Sequence, residues 1–284
     1  MNEIKIGQLD ENLWVIDEQQ KVSLFVLNGS EKVLLIDTGS GMLDLHEEIR
    51  KLCGDKPVIA VNTHAHLDHI LGNNQFQEVY IGRYDEKEAY FPKEVVRTGD
   101  EAAYFREGMP ETYLKNWNPG LTKNIRVLKE KDILDLGDLK IQVIEIPSHT
   151  KGSLAFYEEK KGWLFTGDIV LPWEAWGWLA NSAPLKQYYE SVQKLNRLSG
   201  KVKRVFPSHG QEMMKIEGYS RYELPVNIFA IYEEGLKRIL DDDYTYDTFE
   251  YTGKIHGRET KEITKRKVSF PVGGIIFNSE KIEI

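Results

Sequence analysis

The chain has 284 residues, 41% of them hydrophobic, enough to bury a large core in one or two domains. A formal net charge of -8 argues against broad polyanion binding, and no apolar run approaches the ~20 residues that span a bilayer. The single cysteine, Cys53, forbids an internal disulfide, and Met1 to Ile6 lack the basic-then-apolar layout of a secretory leader, so a cytoplasmic protein is expected.

In chain order, Val33-Leu34-Leu35-Ile36 reads as a short buried strand that ends in Asp37-Thr38-Gly39. Met42 to Cys53 has apolar residues at 42, 45, 49 and 52 and is closed by Gly54, which predicts an amphipathic helix with Cys53 facing the core. Val58 to Asn62 is a β-prone run leading into His64-Ala65-His66-Leu67-Asp68-His69. Arg83 to Asn124, with Tyr90-Phe91-Pro92, Tyr104-Phe105 and Tyr113 to Trp117, is long for a connection and predicts an insertion that covers a site or packs on the surface. Ile141 to Pro147 alternates like a strand and runs into Ser148-His149-Thr150. Trp163 to Gly167 is another short apolar strand, ending at Asp168, and a loop from Pro172 to Trp178 follows with three tryptophans.

Pro184 to Leu198 predicts a helix whose stripe is Leu185, Tyr188, Val192 and Leu195. Arg204 to Pro207 repeats the strand-end pattern with Ser208-His209-Gly210. Pro225 to Leu240 predicts a further helix, stopped by Asp241-Asp242-Asp243 because negative charge is disfavoured at a helix C-terminus. The rest reads as β-rich, with Lys265-Arg266-Lys267 read as a solvated turn in preference to a grip on an anionic substrate group.

Three imidazoles and a carboxylate in His64 to His69 form a ligand-rich run that folding alone does not require. Imidazole suits zinc, iron, copper and nickel, and carboxylate adds a hard oxygen donor. Asp37, His149, Asp168 and His209 stand at the ends of other strands, where rigid scaffolds place chemistry. His46, on the early helix, and His256, in the tail, do not follow that pattern and are read as non-ligands.

Together these motifs resemble the metallo-β-lactamase superfamily: Asp37 in I-D-T-G, His64 to His69 in T-H-A-H-L-D-H, His149 in P-S-H-T-K-G-S, Asp168 in F-T-G-D and His209 in S-H-G. The resemblance spans residues 33–210 and implies an α/β fold, a four-layer αββα sandwich. It also implies His64, His66 and His149 on one metal, Asp68, His69 and His209 on a second, Asp168 bridging them, and Asp37 orienting ligands through hydrogen bonds. True β-lactamases of this fold generally lack the bridging aspartate. The set here looks like glyoxalase-II-type and lactonase-type hydrolases, although the residues after Asp168 and the tail do not match those of glyoxalase II.

The implied cofactors are two divalent ions, zinc foremost, with iron or manganese as alternatives. The implied reaction is hydrolysis of a small ester, thioester, lactone or phosphoester by a metal-bridging hydroxide, with Asp68 or Asp168 handling the proton. Trp173, Trp176 and Trp178 are candidates to line an apolar substrate pocket, and Tyr188, Tyr189 and Tyr222 to protonate the leaving group. The alternative is a mononuclear-iron oxygenase of the same superfold, of the persulfide-dioxygenase type. The expected partner is a small-molecule substrate rather than nucleic acid or membrane, and a homodimer is compatible with the sequence. The expected organisation is a catalytic core over 1–210, with the insertion near 83–124, and an extension over 211–284 packed on the same domain. Within the core, two strand-rich halves are expected, about 1–125 and 126–210.

Overall fold

The computed structural model describes residues 4–18, 22–90, 111–117, 122–210, 222–255 and 258–279. It divides the chain into two units, Met1–Ile141 with Lys254–Glu259, and Gln142–Gly253 with Thr260–Ile284. In the first unit a mixed sheet runs in chain order: β1 (Lys5–Asp10), β2 (Leu13–Glu18), β3 (Val22–Asn28), β4 (Val33–Ile36), β5 (Val58–Val61), β6 (Val79–Gly82) and β7 (Ile125–Leu128). The first four strands pair antiparallel and the last four parallel. β3 and β4 are buried on both faces, so they read as unbroken apolar runs rather than as alternation.

A parallel pair needs a crossover, and α1 (Leu45–Cys53) supplies the one between β4 and β5. Its Asp44 cap accepts a hydrogen bond from the Glu47 amide at 3.0 Å, with acidic residues in the first turn and basic ones in the last. That cap starts the helix at Leu45, three residues after the expected Met42. Leu45, Ile49 and Cys53 are the buried residues, as the apolar spacing requires. Burial pushes the Cys53 thiol up to about 11, so it is a small core residue.

α2 (Leu67–Ile70) is a single turn inside the histidine-rich run. In the expected insertion, short 3₁₀ turns cover Arg83–Asp85 and Glu88–Tyr90, and α3 covers Glu111–Asn116. The Trp117 indole donates to the Ser40 carbonyl at 2.8 Å. Phe91-Pro92 and Tyr104-Phe105 lie outside the described residues.

Next in the chain come β8 (Ile133–Asp135), β9 (Lys140–Glu145), β10 (Leu154–Glu158), β11 (Trp163–Gly167), β12 (Glu174–Gly177) and β13 (Arg204–Pro207). A second sheet has the order β13-β11-β10-β9-β8, with β11 and β13 parallel. α4 (Leu185–Leu198) buries Leu185, Tyr188, Val192 and Leu195, the stripe expected from the spacing. α5 (Ile228–Leu240) packs in the same core through Phe229, Tyr232 and Leu236, and its Glu233 accepts hydrogen bonds from Gln193 and Asn196 of α4. Fully burying one such apolar side chain contributes about 1.5–3 kcal/mol.

Two expectations are corrected by the third sheet. Glu174–Gly177, expected as part of a loop, is β12, the edge of a third sheet β12-β16-β15-β14, with β14 at Asp247–Ile255, β15 at Arg258–Ser269 and β16 at Gly274–Phe277. Its pairing partner, β16, lies far along the chain, so local sequence does not announce the strand. Lys265 to Lys267 lie in β15, not in a turn, and the Arg266 guanidinium stacks 4.7 Å from the Tyr246 ring. Among the described residues no helix is long and apolar enough to cross a membrane.

The candidate site residues follow carboxyl ends of strands in each unit, where open α/β sheets bind ligands. Asp37 follows β4 and His64 to His69 follow β5. Asp168 and His209 follow the parallel strands β11 and β13. At Gly72, just past the histidine run, a Cβ would stand 2.3 Å from the Thr38 carbonyl oxygen and 3.1 Å from Leu45 Cδ1. We expect Gly72→Ala to overpack this contact by about 1–3 kcal/mol and to lower the melting temperature in a thermal scan. An unchanged midpoint would mean that the two loops have slack.

Candidate metal centre

The first unit assembles its half of the site around Asp37, a buried residue at φ 63. Asp37 Oδ1 accepts the Thr63 amide at 2.7 Å, Oδ2 accepts the Thr63 hydroxyl at 2.9 Å, and Oδ2 faces His69 Nδ1 at 2.8 Å. An ionised carboxylate is an acceptor only, so it holds the proton of His69 on Nδ1 and turns the Nε2 lone pair outward. The Thr63 hydroxyl, donating to Asp37, accepts from His64 Nδ1 at 3.0 Å, which puts the ring lone pair of His64 on Nε2. His64 Nε2 stands 3.1 Å from His66 Nδ1, and His69 Nε2 stands 3.5 Å from Asp68 Oδ2.

Three further polar contacts fix the loop. Asp85 accepts the Ala65 amide at 2.9 Å, the Asn62 side chain donates to the His69 carbonyl at 2.9 Å, and the Thr38 hydroxyl donates to Asn73 Oδ1 at 2.7 Å. Sequence reading missed these residues. Asp85, following β6, has the strand-end signature that located Asp37, but nothing local distinguishes a ligand from a brace.

In the second unit Asp168 Oδ2 lies 3.1 Å from His209 Nε2 and 3.6 Å from His149 Nε2. His149 Nδ1 donates to the Trp176 carbonyl at 2.7 Å, so its Nε2 is the lone pair turned toward Asp168. The Ser182 hydroxyl donates to the His149 carbonyl at 2.8 Å. Of the tryptophans, Trp173 and Trp176 are half-buried and Trp178 is buried at 4% exposure. The Trp173 ring lies 6.3 Å from that of His209, and Trp176 lies 5.4 Å from Trp178. The Tyr188 hydroxyl donates to the Ile169 carbonyl at 2.5 Å, and burial pushes this phenol well above its ordinary value, so it braces the Asp168 loop. The Tyr189 hydroxyl accepts from Gln193, and Tyr222 is half-buried. His46 Nε2 contacts the Gln75 carbonyl at 2.8 Å and its ring packs on Phe76, while His256 lies outside the described residues.

These residues fit a metal. Two donors held at 2.0–2.2 Å by one tetrahedral ion stand about 3.3 Å apart, and each donor pair within a unit is near that spacing. Among the described residues, His64, His66, Asp68, His69, His149, Asp168 and His209 make up groups that could hold metal ions. Each histidine whose other ring nitrogen has a named acceptor presents the remaining nitrogen to its neighbouring donor.

The model of the metallo-beta-lactamase superfamily matches residues 17–209, and the chain belongs to that superfamily. With its His/Asp donors it is a metal-binding hydrolase of that fold. It is 28% identical over 203 residues to the acyl-coenzyme A thioesterase MBLAC2 of Gallus gallus, covering 66% of this chain and 72% of that one. It is 25% identical over 155 residues to the hydroxyacylglutathione hydrolase GloC of Haemophilus influenzae, covering 54% and 67%. A crystal structure of TTHA1623 in a di-iron-bound form shares the fold at a TM-score of 0.54 and 21% identity, covering 80% of this chain and 97% of that one.

Glu18 is a buried carboxylate outside the donor set. Glu18 Oε2 accepts the Ser40 amide at 2.6 Å and the Ser40 hydroxyl at 2.5 Å, and a Cβ on Gly39 would meet Glu18 Oε2 at 2.5 Å. Burial pushes Glu18 up to about 7, against the pull of the Ser40 hydrogen bonds. A carboxyl raised in the folded state favours its neutral form there. Its effect on stability is therefore neutral below the unfolded value near 4.5 and unfavourable as pH climbs through about 7. We expect metal-free protein to lose up to roughly 3 kcal/mol from this group between pH 5 and pH 8, and Glu18→Gln to flatten that slope in denaturant titrations. Equal slopes in both proteins would place the ionisation elsewhere.

Proposed function

We propose that the chain hydrolyses an acyl thioester with an apolar acyl portion, using two divalent metal ions, zinc foremost. His64, His66 and His149 would hold one ion and Asp68, His69 and His209 the other, with Asp168 available to both. The observation that carries this reading is the single oxygen, Asp168 Oδ2, lying near donor–donor spacing from both His149 and His209. The thioesterase relatives support the substrate class, since the bond cleaved by an acyl-coenzyme A thioesterase is a thioester.

When bound, such ions lower the pKa of a water toward ~7 and polarise a carbonyl. The protein residues supply the rest. Asp37 and Thr63 fix the ring orientations of His69 and His64, so the donors are arranged before substrate arrives. Asp68, with 22% of its side chain exposed beside His69, takes the proton released as water adds to the carbonyl. The C–S bond then breaks, the thiolate leaves, and Asp68 returns that proton to it or to solvent. Trp173, half-buried beside His209, gives the acyl chain an apolar wall.

Elemental mass spectrometry on protein purified without added metal is expected to find about two ions per chain. Asp168→Ala is expected to lower thioester turnover by about 100-fold or more. Wild-type turnover in that variant would sink the shared-carboxylate mechanism, and a single iron per chain with oxygen consumption would replace hydrolysis by oxygen chemistry. Removing the aromatic wall tests the substrate class separately. Trp173→Ala should raise KM for long-chain acyl thioesters about tenfold while leaving acetyl thioesters near wild type, the loss of roughly 1.4 kcal/mol of apolar contact. Equal effects on both chain lengths would remove Trp173 from the pocket.

A further inference from the structure

The Trp176 carbonyl that receives His149 Nδ1 belongs to β12, whose ladder partner is β16 in the tail of the chain. It is the edge of its sheet and pairs parallel with β16, Trp176 opposite Ile276. One row of edge-strand carbonyls faces away from the partner strand and needs another donor. At Trp176 that donor is the imidazole.

The approach to β12 is held from the tail as well. The Tyr232 hydroxyl of α5 donates to the Leu171 carbonyl at 2.9 Å and accepts the Leu171 amide at 3.1 Å. It also lies 3.2 Å from the Trp173 carbonyl and 3.4 Å from the Gly274 amide. Gly273, at φ 77, leaves so little room that a Cβ would stand 2.4 Å from the Leu171 carbonyl oxygen and 2.6 Å from the Tyr232 hydroxyl. The start of β12 is tied by the Ser269 hydroxyl, which donates to Glu174 at 2.9 Å. One phenol, one glycine turn and one strand register therefore set where the Trp176 carbonyl stands.

We propose that α5 and β16, with the turn that leads into β16, are the positioning element for His149, acting through the Trp176 carbonyl, and that they thereby set metal affinity. The proposal rests on His149 being a ligand. These tail residues act on His149 through the Trp176 carbonyl, so they are positioning residues. Their chemistry is that of an outer support: the carbonyl holds the Nδ1 proton, and Nε2 keeps its lone pair aimed at the ion.

The test uses full-length protein with ¹⁵N-labelled histidine, with and without zinc, in wild type, Tyr232→Phe and Gly273→Ala. Chelator competition reads zinc affinity, and NMR reads solvent exchange of the His149 Nδ1 proton. Tyr232→Phe is expected to weaken zinc binding about tenfold or more and to speed exchange of that proton, while the backbone amides of β11 and β13 keep their protection. A merely structural tyrosine would lower the melting temperature and leave affinity and the His149 proton within twofold of wild type, which overturns the proposal. Should both variants fail to fold, Ser269→Ala, which loosens only the start of β12, is read by the same two measures and the same criterion. The underlying assignment fails separately: if His149→Ala binds zinc as tightly as wild type, His149 is not a ligand, whatever the tail variants do.

Discussion

The first unit turns on the burial of Asp37. A carboxylate removed from water costs several kcal/mol unless its lone pairs are taken, and Asp37 has the Thr63 amide, the Thr63 hydroxyl and the His69 ring to take them. Those groups come from the loop after β5, whereas Asp37 itself ends β4. Satisfying one charge therefore ties two strand ends together and orients two histidines. The positive φ of Asp37, 63°, is the local strain that aims the carboxylate inward.

The second unit solves the same problem with fewer charges. Asp168 follows β11 and His209 follows β13, a parallel pair whose register brings Phe165 opposite Phe206 just before both donors. His149 takes its orientation from a carbonyl rather than from a carboxylate. In both units the donors follow the ends of strands, and the second ring nitrogens of His64, His69 and His149 are committed to the scaffold. Preorganisation of this kind costs stability locally, as Glu18 beneath Ser40 illustrates: a buried carboxyl pushed up toward neutrality is tolerated to hold the turn after Asp37.

Much of the scaffold is legible in the order of residue types alone. The stripe Leu185, Tyr188, Val192 and Leu195 appears as the buried face of α4, because helical spacing leaves few other ways to bury those side chains. The strands at Val33–Ile36 and Val58–Val61 fall where their apolar runs fall. Helix starts are less legible: α1 begins at Leu45 because Asp44 caps it, and α5 at Ile228 rather than Pro225. The donor residue types are also visible, since histidines at strand ends stand out against a hydrophobic background. The braces Asp85, Asn62 and Asn73 are not, because a buried polar residue with partners looks in sequence like any loop residue.

By itself, the sequence determined the elements whose periodicity is local and the chemical identity of the donors at their ends. Tertiary structure alone decided which nitrogen His64, His69 and His149 present, that Pro172 to Trp178 contains a strand, and that the tail pairs with it. The reason is physical. Side-chain periodicity is written in residue types, whereas the bond from His149 to the Trp176 carbonyl and the pairing of β12 with β16 use backbone groups that every residue shares.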